Sequence, residues 1–223
     1  MDHDKQGRDS FEFPKWANAI RLPVALMAAG APVYILGMLY LLFDPGTTSV
    51  GYQPEQPVSY SHRLHAGELG IDCRYCHTGV EKGAAATLPP TQTCMNCHAT
   101  IKTESDRLTL VRESYQTGLP IEWVRIHDLP DFVYFNHSAH VTRGIGCESC
   151  HGRIDQMEVV SQAEGLNMGW CLGCHRDPEA HLRPVDEATT MGWTPGLDQR
   201  ELGAQLREAR NINPPTDCST CHR

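Results

Sequence analysis

Over most of its 223 residues this sequence lacks sustained hydrophobic periodicity, and it lacks a block of charge of one sign. The first absence points away from a long-helix bundle or a regular sheet. The second argues against nucleic acid as a partner, because the net charge of −8 comes from acidic and basic residues mixed along the chain and builds no steering surface. The sequence also lacks an unpaired cysteine. Its ten cysteines form five pairs with the same two-residue gap, and a histidine follows each pair directly. Disulfides would not require that histidine. Zinc sites combine two such pairs, and five pairs leave one unmatched.

What is present is therefore C-x-x-C-H five times: "CRYCH" (Cys73, Cys76, His77), "CMNCH" (Cys94, Cys97, His98), "CESCH" (Cys147, Cys150, His151), "CLGCH" (Cys171, Cys174, His175) and "CSTCH" (Cys218, Cys221, His222). This is the attachment motif of c-type haem, in which the cysteines form thioether bonds and the histidine ligates the iron. The expectation is five covalently bound haem c groups with His77, His98, His151, His175 and His222 as proximal ligands.

Residues 22–43, "LPVALMAAGAPVYILGMLYLLF", carry no charge. A bilayer core needs about 20 apolar residues in a helix. The run is longer than the apolar part of a signal peptide, no small-x-small cleavage site follows it, and Pro23 and Pro32 are tolerable in a spanning helix. An uncleaved anchor is expected. Lys5, Arg8, Lys15 and Arg21 precede it, and the next basic residue is Arg63. The positive-inside rule then puts residues 1–21, with His3, in the cytoplasm, and everything from Asp44 onward on the periplasmic face of a bacterial inner membrane. Ala25, Ala28, Ala29 and Gly30 offer a small-residue face toward another spanning helix.

Residues 44–59 read as a linker and 60–223 as the haem domain, with breakers at "GAAATLPP", "GLPIEW" and "INPP". Helices are expected over 103–118 and over 196–211, the latter with Leu197, Leu202 and Leu206 on one face. Roughly 180 residues for five haems leaves about 36 each, too few to wrap every porphyrin in its own core, so porphyrins must fill much of the interior. The expected fold class is mainly α with little regular secondary structure, behind a single transmembrane helix.

A six-coordinate iron suited to electron transfer needs a second His or Met. "YSHRLHAGELGIDCRYCH" (60–77) and "FNHSAHVTRGIGCESCH" (135–151) both place an aromatic and an H-x-x-H pair ahead of the cysteines. One iron cannot use both histidines of a pair, and residues three apart on a helical turn diverge toward different neighbours. His77 precedes Cys94 by 17 positions and His151 precedes Cys171 by 20, so the domain reads as two diverged two-haem units, 60–98 and 135–175, plus a fifth site at 218–222. The pattern resembles the class III multihaem cytochromes. That resemblance implies His62 for the Cys73/Cys76 haem, His65 for Cys94/Cys97, His137 for Cys147/Cys150 and His140 for Cys171/Cys174. It also implies Met168 for the fifth haem, with His181, His127 and Met191 as competitors.

The single anchor, the five C-x-x-C-H motifs and the phrases "RIHDLPDFVYFNHSAHV" and "MGWCLGCHR" are similar to the pentahaem cytochrome c subunit of alternative complex III. The resemblance implies an electron-transfer subunit of a quinol-oxidising oxidoreductase complex rather than a catalyst acting alone. Its implied partners are a quinol-binding polytopic protein, an iron–sulfur protein and a monohaem cytochrome c, blue-copper protein or oxidase as acceptor. A tetrahaem quinol dehydrogenase of the nitrite or nitrate reductase type is the second reading; the fifth motif and the lack of C-x-x-C-H-x-M speak against it. A catalytic multihaem reductase is the third, and would need a haem with an open face.

Overall fold

The computed structural model describes residues 14–44, 47 and 49–222. His3, Lys5 and Arg8 lie outside them, as do Pro45, Gly46 and Thr48 of the expected linker. The chain divides into two units, 1–44 and 45–223.

Among the described residues the first unit holds one helix, α1 (Trp16–Phe43), whose last turn is closed by the Asp44 N–H donating to Tyr40 O at 2.9 Å. It starts six residues before the uncharged run, and its 28 residues span about 42 Å. Pro23 and Pro32 both lie inside it, and none of its residues is buried. It is long and apolar enough to cross a membrane.

The second unit is mainly helical, and among the described residues it contains isolated β-bridges, Val133 with His222 and Ile145 with Leu182, but no strand. Its α-helices are short: α2 (Cys73–Cys76), α3 (Thr91–His98), α4 (Thr109–Thr117), α5 (His137–Val141), α6 (Glu148–His151), α7 (Met168–Arg176), α8 (Gln199–Ala209) and α9 (Cys218–Cys221). Polar caps start most of the functional turns. Asp72 accepts from Arg74 N, Asn136 from Ser138 N, Asn167 from Trp170 N and Asp217 from Thr220 N.

The helix expected over 103–118 is shorter. Ser105 is extended, a 3₁₀ turn covers Asp106–Leu108, and α4 ends where Gly118 takes φ 73°, a left-handed stop that suits glycine. The helix expected over 196–211 is α8, started by Asp198, whose carboxylate accepts from Arg200 N and Glu201 N. Leu202 and Leu206 are half-buried, but Leu197 precedes the cap and is exposed, so it is not on that face. Gly203 is the contact instead. A Cβ there would stand 2.0 Å from Glu179 O, so only glycine lets α8 lie on the 3₁₀ turn Pro178–Ala180. Gln199 binds the Glu179 and Leu182 carbonyls, and Arg200 and Arg207 pair with Asp177 and Glu179.

The segment after residue 49 is fastened rather than free. Gly51 N donates to Gln162 O, Gln162 N to Tyr52 O and Gln53 to Val159 O. Gln56 exchanges two bonds with the Val124 backbone, and Val58 is buried. Among the described residues the buried apolar set is small: Val58, Val80, Val111, Val141, Leu182, Ala188 and Ile212. Val80, Val141 and Ala188 cluster together with Ala86. Seven such side chains cannot offset the conformational entropy of so many ordered residues, and a further apolar body is needed.

Candidate haem sites

Each H-x-x-H pair sits on its own short turn, but the turns differ. His62 begins, and His65 lies within, a π-helical turn over Arg63–Glu68, whereas His137 and His140 lie on α5. The aromatic ahead of each pair is used the same way twice. Tyr60 meets His62 edge-on at 4.8 Å and stacks on His65 at 4.5 Å. Phe135 meets His137 edge-on at 4.8 Å and stacks on His140 at 4.6 Å. One ring thus fixes two imidazoles roughly at right angles, which aims them at different sites. The sequence displays the aromatic in both copies, but its action on both histidines appears only in three dimensions.

A metal–imidazole bond is about 2 Å and the ring centre lies about 1 Å behind the nitrogen, so two imidazoles facing each other across one metal have centroids about 6 Å apart. His65 and His98 are 6.2 Å apart, His140 and His175 6.1 Å, and His137 and His151 6.4 Å with nearly parallel planes. His62 lies within electrostatic range of His77.

The other ring nitrogens are arranged for ligation. The Nδ1 atoms of His77, His98, His175 and His222 face the carbonyls of Thr87 (2.8 Å), Ile101 (3.0 Å), Pro215 (2.6 Å) and Phe132 (3.3 Å). Those of His65, His137 and His140 face Ser61, Ala84 and Asn136 carbonyls at 2.7–2.8 Å. A carbonyl there holds the proton on Nδ1 and leaves the Nε2 lone pair free for a metal. Burial, reinforced by neighbouring imidazoles, pushes His62 down to about 4 and His151 to about 3, and burial lowers His140 as well. His62 and His151 are neutral at pH 7, as ligation requires, and His140 is biased the same way.

The two halves dock on each other reciprocally. Ser138 N donates to Gly83 O and His137 N to Ala84 O, in the loop after the first C-x-x-C-H. Arg63 N donates to Met157 O, in the loop after the third. The correspondence stops at His62, whose Nδ1 is buried without a hydrogen-bond partner. Where His137 finds Ala84, the matching position in the other half is Glu158, whose carboxylate is engaged by Arg63.

The cysteines place the sites in an order unlike that of the sequence. Cys76 feels the thiols of Cys94 and Cys97, Cys73 and Cys147 share a hydrogen bond, Cys150 feels Cys171 and Cys174, and Cys171 feels Cys221. The order is second, first, third, fourth, fifth. Cys97 and Cys218, at its two ends, are exposed, while the other eight are half-buried.

Around the fifth site, Phe132 lies 5.7 Å from the His222 ring, and Tyr134 N donates to Cys221 O. Met168 opens α7, three residues before Cys171, with its side chain 66% exposed. His127 stands instead against His151, its Nε2 3.3 Å from His151 Nδ1. His181 closes the 3₁₀ turn Pro178–Ala180, and Met191 is half-buried.

Residues 45–119 match the class III cytochrome c family, and residues 133–223 match the family described as cytochrome c7 and related cytochrome c. Over 100 residues the chain is 35% identical to the menaquinone reductase, multiheme cytochrome c subunit, of Nitratidesulfovibrio vulgaris. The match covers 44% of this chain and 47% of that relative, less than half of each. Proteins of the matched families hold haem c covalently, and the C-x-x-C-H turns, neutral imidazoles and metal-sharing ring spacings fit that group. Residues 45–119 and 133–223 are thus similar to multihaem cytochromes c of the class III and c7 type.

Proposed function

We propose that this chain is the membrane-anchored, five-haem electron-transfer subunit of a quinol-oxidising complex, delivering electrons to a cytochrome c, blue-copper or oxidase acceptor outside the cytoplasm. Haem c supplies a one-electron couple at each site. The chain's own residues do the rest. The ten cysteines hold the groups, and the five C-x-x-C-H histidines provide one axial nitrogen each. His62, His65, His137 and His140 provide the opposite nitrogen at four sites, and Met168 the thioether at the fifth. Met168 is supported by its exposed side chain on the helix whose Cys171 lies beside Cys221. A His/Met site runs more oxidising than bis-His sites, which suits the fifth site as the exit.

The observation that carries the reading is the set of imidazole pairs at 6.1–6.4 Å on shared H-x-x-H turns. Two sites served from one turn must be neighbours, and contact spacing is what serial electron transfer needs. α1 ties this assembly to the membrane, where a quinol-binding polytopic protein and an iron–sulfur protein would feed it. The multiheme relative supports a quinone-linked complex. Its name favours a second reading in which electrons run toward the quinone through the same sites.

Purification from native membranes in mild detergent tests the proposal. The chain is expected to carry five haem masses, to co-purify with polytopic and iron–sulfur subunits and to be reduced by added quinol. Isolation of the chain alone with full quinol dehydrogenase activity would defeat it. Near-infrared magnetic circular dichroism showing five bis-His signatures would remove Met168.

A further inference from the structure

Among the imidazoles around these sites, His151 is set apart by what its outer nitrogen touches. Seven others face backbone carbonyls, and His62 faces nothing. His151 Nδ1 faces a second imidazole, His127 Nε2, at 3.3 Å, with the two rings nearly perpendicular and their centroids 4.4 Å apart. We infer that His127 is a positioning residue for the third site, acting through His151 to make that site more reducing than a carbonyl partner would.

This rests on haem being held at Cys147 and Cys150. If His151 ligates through Nε2, its proton sits on Nδ1 and is donated to His127. His127 must then accept with a bare Nε2 and carry its own proton on Nδ1. An imidazole nitrogen is a far stronger base than an amide carbonyl oxygen. It draws the Nδ1 proton away and makes His151 a more electron-rich ligand. Electron-rich ligation favours the oxidised metal and lowers the potential. The edge-on arrangement serves this role, because it points the His127 lone pair at the His151 N–H rather than stacking the rings. The position also explains why His127 does not serve the fifth site: its ligating nitrogen is already committed to His151.

The test uses the full-length, haem-loaded chain in its native membrane complex, with His127→Leu and His127→Gln. Redox titration followed by electron paramagnetic resonance reads every centre. In the Leu variant one couple should move to more oxidising values, its oxidised-to-reduced ratio at fixed poise falling about tenfold, the low end of outer-partner effects on metal sites. For one electron that is about 59 mV. Gln, which supplies only the weaker amide-oxygen acceptor, should recover part of the shift and leave the couple between those of the wild type and Leu, and the other couples and the haem count should stay put.

An unchanged set of couples in the Leu variant overturns the inference. So does a Gln variant shifted as far as Leu, which would mean bulk packing alone matters. Loss of one axial signature at the fifth site would make His127 a ligand and overturn it too. A wild-type chain with no haem at Cys147 and Cys150 would instead sink the five-haem reading, and the haem count separates that outcome from the others.

Discussion

The third C-x-x-C-H turn is braced by a buried ion pair, and breaking it should cost more than any surface change in the molecule. Glu148 lies between Cys147 and Cys150. Its carboxylate accepts from Arg183 Nη2 at 2.8 Å and from Gly192 N at 2.6 Å. The two side chains are only 9% and 16% exposed. Arg183 also donates to Thr190 O, and its guanidinium lies 5.1 Å from the Trp193 ring centre. Gly146 makes room for it, since a Cβ there would stand 2.3 Å from the guanidinium carbon. Arg183→Met keeps most of the stem but leaves Glu148 as a buried charge with one remaining donor. Removing one partner of such a pair costs about 3–5 kcal/mol. For a protein of this size that lowers Tm by roughly 6–20 °C. Replacing both residues removes the uncompensated charge, so Arg183→Met with Glu148→Met should be more stable than Arg183→Met alone. Chemical denaturation of the haem-loaded protein, followed by far-ultraviolet circular dichroism, measures both. A single-variant loss under about 1 kcal/mol, or a double variant in which two losses simply add, would refute the reasoning.

Three further outcomes are expected. Gly203→Val places a branched side chain against the Glu179 carbonyl and should force α8 off its 3₁₀ turn, costing about 1–3 kcal/mol in a thermal melt. The Arg74 hydrogen bond, helped by Thr189, holds the Asp72 carboxyl down at about 2. A depressed acid stabilises the fold above its unfolded pKa and loses that contribution as pH falls toward 2, so Asp72→Asn should flatten the stability profile between about pH 4 and 2 by about 1 kcal/mol after solvent screening. His140→Ala should leave four sites low-spin and make the fourth bind carbon monoxide when reduced, which an optical difference spectrum reads directly.

Much of the site is local in sequence and therefore legible there. C-x-x-C-H is five consecutive residues, and the H-x-x-H pairs recur at matched distances ahead of it. α8 was legible because its half-buried leucines recur at helical spacing, but Leu197 matched the period and still fell outside, since Asp198 caps the helix after it. The π-helical turn at Arg63–Glu68 was not legible, because the second copy makes an ordinary α-turn from the same H-x-x-H pattern. His127 lies 24 residues before His151, and no spacing rule connects them. The fastening of residues 51–56 onto 124 and 159–162 was hidden for the same reason, since backbone bonds between irregular segments leave no periodicity.

The reciprocal docking of Ser138 on Gly83 and Arg63 on Met157 has a historical consequence. When residue i of one half meets residue j of the other, and j meets i in return, the contact is the isologous kind found in two-fold symmetric homodimers. A single two-site cytochrome that first paired with its own copy, and was then fused by gene duplication, leaves this trace. On that view the Cys73–Cys147 contact is the old dimer seam. The orphaned His62 nitrogen would then mark where the two halves have drifted from symmetry.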